Sequence, residues 1–145
     1  MAYEQPLWYK LALQERGVLE GRGDVNNPVV QKYYKDAGFP EVQHDSVPWC
    51  MAFVNAMLHR AGYKRTGSLL ARSSLKNKAF KKLLKPTQGC IIVLERSNST
   101  WLGHTGFFVR SGWMIGGNQS DMVSIARYDS EKLLGWRWPI ERTRR

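Results

Sequence analysis

Apolar residues recur at helical spacing in the first half of the chain and at strand spacing in the second. Leu7, Trp8, Leu11 and Ala12 make one stripe of a short amphipathic helix over residues 6 to 17, with Gly17 placed to cap its end. Residues 21 to 28 are turn-rich. Asn27 followed by Pro28 then predicts the start of a second helix that runs to about Ala37 and stops before Gly38. A third, more apolar helix is predicted from Cys50 to Ala61, ended by Gly62; Ala52, Phe53, Ala56, Met57 and Arg60 carry its period. Residues 68 to 84 read as a basic helix or two short ones.

After Pro86 the period changes. Residues 90 to 95 are β-branched and strand-like, and Ser97 to Gly103 form a loop. His104 to Arg110 and Trp113 to Ile115 predict a hairpin about Ser111 and Gly112, broken by Gly116 and Gly117. Further strands are expected at Met122 to Tyr128 and Gly135 to Trp138. Helices followed by strands, with no alternation between them, predict an α+β fold with an antiparallel sheet.

Composition narrows the picture without changing it. The 145 residues suit one domain spanning the chain, and an apolar share of 43% excludes a disordered one. The net charge of +10 points to a polyanionic partner: nucleic acid, an anionic membrane or a bacterial envelope polymer. Lys76, Lys78, Lys81, Lys82 and Lys85 form its main cluster, and a solvated face that serves only solubility accounts for them equally well. Neither a groove-reading helix nor an RNA-binding aromatic pattern is present, so no nucleic-acid partner is expected. The cysteines and histidines lack paired zinc spacing, so no metal or other cofactor is expected. The first residues lack a basic start followed by an apolar core, and no apolar run reaches the ~18 residues of a membrane span. A chain made in the cytoplasm is expected.

Cys50 carries the candidate chemistry. A thiolate attacks a carbonyl, and a helix N-terminus favours that anion through its unpaired N–H groups. The same groups can hold an oxyanion. An imidazole is then needed as base and later as acid. His59 falls near the end of the Cys50 helix and His44 in the loop before it, whereas His104 opens a strand between glycines, so His104 is the preferred base. Asn118, at the end of the return strand, can orient that ring. Cys90 reads as a small buried thiol.

The stretch Val47-Pro48-Trp49-Cys50-Met51-Ala52-Phe53-Val54-Asn55 resembles the nucleophile motif of the CHAP and NlpC-type cell-wall peptidases. It is similar in particular to a small phage and bacterial subgroup with Pro-Trp-Cys. Ala71-Arg72-Ser73, Gly103-His104-Thr105-Gly106-Phe107, Gly116-Gly117-Asn118-Gln119-Ser120 and Gly135-Trp136-Arg137-Trp138-Pro139 match further elements of that subgroup, in order. Gly89-Cys90 departs from its usual Gly-Asp, and Met51 and Thr105 replace commoner residues.

The resemblance implies a papain-like fold, with the nucleophile helix packed on the sheet. It also implies hydrolysis of an amide bond in peptidoglycan, with Cys50 as nucleophile, His104 as base and Asn118 as orienting residue. Gln119 is the alternative for the third role. Trp49, Gln119 and Asp45 are candidates for lining the substrate site; packing is the competing reading for Trp49, and loop capping for Asp45. Trp101 and Trp113 are either sugar-stacking or core aromatics. The implied partners are peptidoglycan and an anionic envelope surface, met by a monomer that a holin or an injection device releases to the wall. The competing reading is a catalytically silent tail, assembly or wall-binding protein of the same fold.

Overall fold

The computed structural model describes residues 3–22, 25–44, 48–97 and 99–143. Three helices come first: α1 (Leu7–Gln14), α2 (Pro28–Asp36) and α3 (Cys50–Arg60). Six strands follow: β1 (Phe80–Leu83), β2 (Ile91–Glu95), β3 (Gly103–Arg110), β4 (Trp113–Gln119), β5 (Met122–Arg127) and β6 (Leu133–Pro139). They form one antiparallel sheet in the order β1-β6-β2-β3-β4-β5. This is an α+β architecture. Among the described residues no helix is long and apolar enough to cross a membrane.

The helix boundaries follow from local chemistry. The Asn27 side chain accepts a hydrogen bond from the Val29 N–H, and Pro28 stands at the first helical position of α2. Such a cap contributes about 1 kcal/mol. Gly38 and Gly62 take positive φ just beyond α2 and α3, a conformation that glycine adopts without a side-chain clash. Helix α3 is apolar nearly all round and is buried from Cys50 to Leu58. It packs on β3 and β4 on one side and on α2 and α1 on the other. Arg60 near its end donates to Asp36 of α2 at 2.8 Å and pairs with Glu15 after α1 at 3.4 Å. These ion pairs tie the three helices together around the element that carries Cys50.

Strand β2 is buried on both faces. Ile91 and Val93 join the main core beneath the helices, while Ile92 and Leu94 join a smaller cluster with Met114, Tyr128, Leu133 and Trp136. The alternation follows the pleat. At Gly117 of β4, a Cβ would stand 2.8 Å from Phe53 Cβ and 2.8 Å from the Trp49 ring. The missing side chain is what lets α3 lie directly on the sheet.

Two expectations are corrected. Residues 68 to 84 form no helix: turns lead into β1, an edge strand paired with β6. Lysines repeat compatibly with a helix face, but here Lys81 and Lys82 are exposed on the edge strand, where charge discourages further strand pairing. Gly116 and Gly117 do not end the return strand; β4 runs through them to Gln119.

Candidate active site

The Cys50 side chain begins α3 and is 6% exposed. The backbone N–H groups of Thr105 and Met51 face its sulfur. Thr105 is the residue after His104 on β3, so the packing of helix on sheet sets Cys50 against the strand that carries His104. Burial pushes the Cys50 thiol up, against the pull of those N–H groups and of the Arg96 charge. Removal from water and the helix terminus thus act on the sulfur in opposite directions.

His104 Nε2 lies 2.8 Å from Gln119 Oε1. The amide orientation is fixed from the other side, because Gln119 Nε2 donates to the Ser124 carbonyl at 2.6 Å. Oε1 is therefore the acceptor, and Nε2 of His104 carries the proton that it donates. The neutral ring then leaves Nδ1 unprotonated. Burial pushes the His104 imidazolium down, with the Gln119 bond raising it and the Arg96 charge lowering it further. The neutral imidazole thus persists below the ordinary histidine range. Among the described residues, no hydrogen bond joins Cys50 Sγ to this ring.

Sequence reasoning preferred Asn118 for the orienting role and kept Gln119 as the alternative; the structure places Gln119 against His104. The ladder between β4 and β5 shifts register between Gly116 and Gln119, and Asn118 sits at φ 60°. An extra residue at such a bulge moves the following side chains to the opposite faces. Trp49 is also placed differently from a site wall. It is 0% exposed, stacks on Tyr33 with ring centroids 5.9 Å apart, and donates through Nε1 to Glu20 at 2.9 Å. Asp45 lies outside the described residues. His44 and His59 are both exposed, and neither borders the hollows that flank Cys50 and His104.

Two hollows flank the pair. An apolar one of about 350 Å³ is lined by Cys50, Leu69, Leu70, Trp101 and Leu102, among others. Trp101 is 61% exposed there, whereas the Trp113 ring is in contact with the guanidinium groups of Arg110 and Arg127. Arg72 anchors the Trp101 loop from outside: it donates to the carbonyls of Leu102 at 2.7 Å, Thr100 at 2.9 Å and Ser99. The second hollow, about 230 Å³, is charged and holds His104, Gln119, Arg127, Asp129 and Lys132. A larger hollow of about 630 Å³ beside α2 contains neither cysteine nor histidine.

Sequence reasoning missed Ser124, Arg72 as a loop anchor, and Arg96, which borders both flanking hollows. The Ala71-Arg72-Ser73 match was the one signal that touched any of them. Nothing in the chain order pairs Ser124 with Gln119.

No protein-family model matches the chain, and no curated protein matches it. Among solved structures it is similar to RipD from Mycobacterium tuberculosis, described as a non-catalytic NlpC/p60 domain protein adapted to a peptidoglycan-binding function. The TM-score is 0.55 at 14% sequence identity, over 95% of this chain and 99% of that one. What the two share is the fold, and the α+β arrangement of this chain is the papain-like arrangement of an NlpC/p60 domain.

Proposed function

We propose that the protein hydrolyses an amide bond in the peptide part of bacterial peptidoglycan, with Cys50 as nucleophile, His104 as base and Gln119 as the group that orients the imidazole. The observation that carries this reading is the Ser124–Gln119–His104 chain of hydrogen bonds, which ends on an unprotonated ring nitrogen next to the residue whose backbone faces the Cys50 sulfur. In this reaction Nδ1 of His104 accepts the thiol proton as sulfur attacks the carbonyl carbon. The N–H groups at the start of α3 stabilise the oxyanion. His104 then returns the proton to the leaving amine, and water releases the acyl group from sulfur. The bond cut lies either between stem-peptide residues or between the peptide and muramic acid. Release to the wall by a holin or an injection device, as for an endolysin or a tail lysin, belongs to the same proposal.

A second reading has its own support. RipD keeps the fold as a non-catalytic, peptidoglycan-binding protein, and the Cys50 thiol is pushed up rather than down. In that reading this chain binds wall without cutting it. Mass spectrometry of purified peptidoglycan after incubation with wild type, Cys50→Ala and His104→Ala separates the two. New fragments with wild type alone are expected, and their masses identify the bond. Wall that sediments with the protein yet releases no fragments, across walls of several chemotypes, would establish the binding reading instead.

A further inference from the structure

Charge is unevenly distributed along the chain. Residues 46 to 94 hold nine lysines and arginines and no aspartate or glutamate. Four of the nine are engaged within the fold. Arg60 pairs with Asp36 and Glu15, Lys64 pairs with Glu141, Arg65 donates to the Asp36 carbonyl, and Arg72 donates to loop carbonyls. The other five, Lys76, Lys78, Lys81, Lys82 and Lys85, fall on and around β1; all are exposed, and none forms an ion pair with a described residue. Strand β1 is the outermost of the sheet, paired with β6 on one side only. Lys81 and Lys82 start from opposite faces of it, and their long stems can carry both ammonium groups out past the open edge.

Among these lysines stands an apolar residue that the fold does not cover. Leu84 follows β1 directly, between Lys82 and Lys85 in the chain, and is 89% exposed. Leu134 of β6, just past the same end of the β1–β6 ladder, is exposed as well. A soluble polyanion has phosphates for the lysines but no apolar layer for the leucine. An anionic lipid surface has both. Neither hollow beside Cys50 and His104 contains any of these residues. Strands β6 and β2 separate β1 from the strand of His104, about 14 Å away at the ordinary strand spacing.

We propose that the β1 edge, with Leu84 as its apolar tip, docks the protein on an anionic phospholipid surface. Lys81, Lys82 and Lys85 meet the lipid phosphates, Lys76 and Lys78 extend the contact, and the Leu84 side chain enters the apolar layer beneath the headgroups. This contact is independent of the hydrolase reading and stands whether or not the site cuts.

The whole chain is sedimented with vesicles of phosphatidylcholine alone or of equal parts phosphatidylcholine and phosphatidylglycerol. It should sediment with the anionic vesicles and stay in solution with the neutral ones. Combining Lys81→Gln, Lys82→Gln and Lys85→Gln should weaken binding about a hundredfold, about fivefold for each charge. Leu84→Ser keeps every charge and should weaken vesicle binding about tenfold, while leaving any binding to a short DNA duplex unchanged. Leu84→Trp should bind at least as tightly as wild type, and brominated acyl chains should quench the fluorescence it adds. These are surface changes, and an unchanged melting temperature confirms the fold of each variant. No sedimentation with anionic vesicles, equal sedimentation with neutral ones, or vesicle binding unaltered by Leu84→Ser overturns the proposal. Binding to the duplex without binding to vesicles also overturns it, and assigns the lysines to a nucleic acid instead.

Discussion

Cys50 and Cys90 are both free, both buried and both raised by burial, Cys90 to about 11. Their surroundings otherwise share little. Cys90 is 0% exposed and precedes β2, its backbone N–H bonded to the Thr87 carbonyl and its carbonyl accepting from Phe108. It borders neither hollow beside the site. Cys50 begins a helix, meets the Thr105 N–H across the helix–sheet contact, feels the Arg96 charge and opens onto a hollow. Burial by itself therefore does not mark a reactive thiol. What separates the two is access, together with a proton acceptor one residue away from the N–H group that faces the sulfur.

The largest effect that sharpens this contrast is on turnover. Cys50→Ala should reduce peptidoglycan cleavage by about a thousandfold or more, to background, with the melting temperature nearly unchanged. Cys90→Ala should do the opposite: full turnover, with a loss of about 1 kcal/mol in denaturant stability from the vacated core volume. If Cys90→Ala abolished turnover in a folded protein, the comparison would fail.

The next effect divides neighbours on β4. Gln119→Ala removes the acceptor for His104 Nε2 and frees the ring to rotate, so kcat should fall about ten- to a hundredfold with KM little changed. Gln119→Glu, which keeps an acceptor oxygen, should recover part of the rate. Asn118→Gly preserves the positive φ and deletes the amide, and should stay within about twofold of wild type. A greater loss in Asn118→Gly than in Gln119→Ala would restore the orienting role to Asn118.

That pair also shows where the sequence stops being legible. Helices α2 and α3 could be read because their signals are local: Asn27 and Pro28 at one start, Gly38 and Gly62 at the ends. The antiparallel sheet followed from alternation and hairpin residues. The positions of Cys50 at a helix start and His104 near a strand start could be read because both signals are visible along the chain. Gln119 was displaced by one position because a bulge has no signature in alternation, and a single extra residue exchanges the two faces. Lys81 and Lys82 fit a helix face as well as an edge strand, and only pairing with β6 decides between them. Ser124 and Arg96 enter the site through contacts between elements, which no local pattern carries.

The smallest effect tests the protonation state on which the contrast rests. Burial raises the Cys50 thiol from its ordinary 9.0 and lowers His104 from its ordinary 6.5, so a neutral thiol beside a neutral imidazole is the expected resting pair. Iodoacetamide reacts with the thiolate, so Cys50 alkylation should be slow at neutral pH. It should climb about tenfold per pH unit, without a plateau below pH 9.0. Cys90 should remain unmodified in the folded protein across that range, because it is fully buried and its thiol is pushed up to about 11. Turnover should follow a different curve. It needs the thiol protonated and the imidazole free, and both conditions hold between 6.5 and 9.0, so kcat/KM should be flat to about twofold across that span. It should decline only below the depressed His104 value and above the raised Cys50 value. A plateau of alkylation between pH 5 and 8 would mean a standing thiolate–imidazolium pair, with the dipole of α3 and the Arg96 charge overcoming burial. The two cysteines would then differ in charge as well as in access.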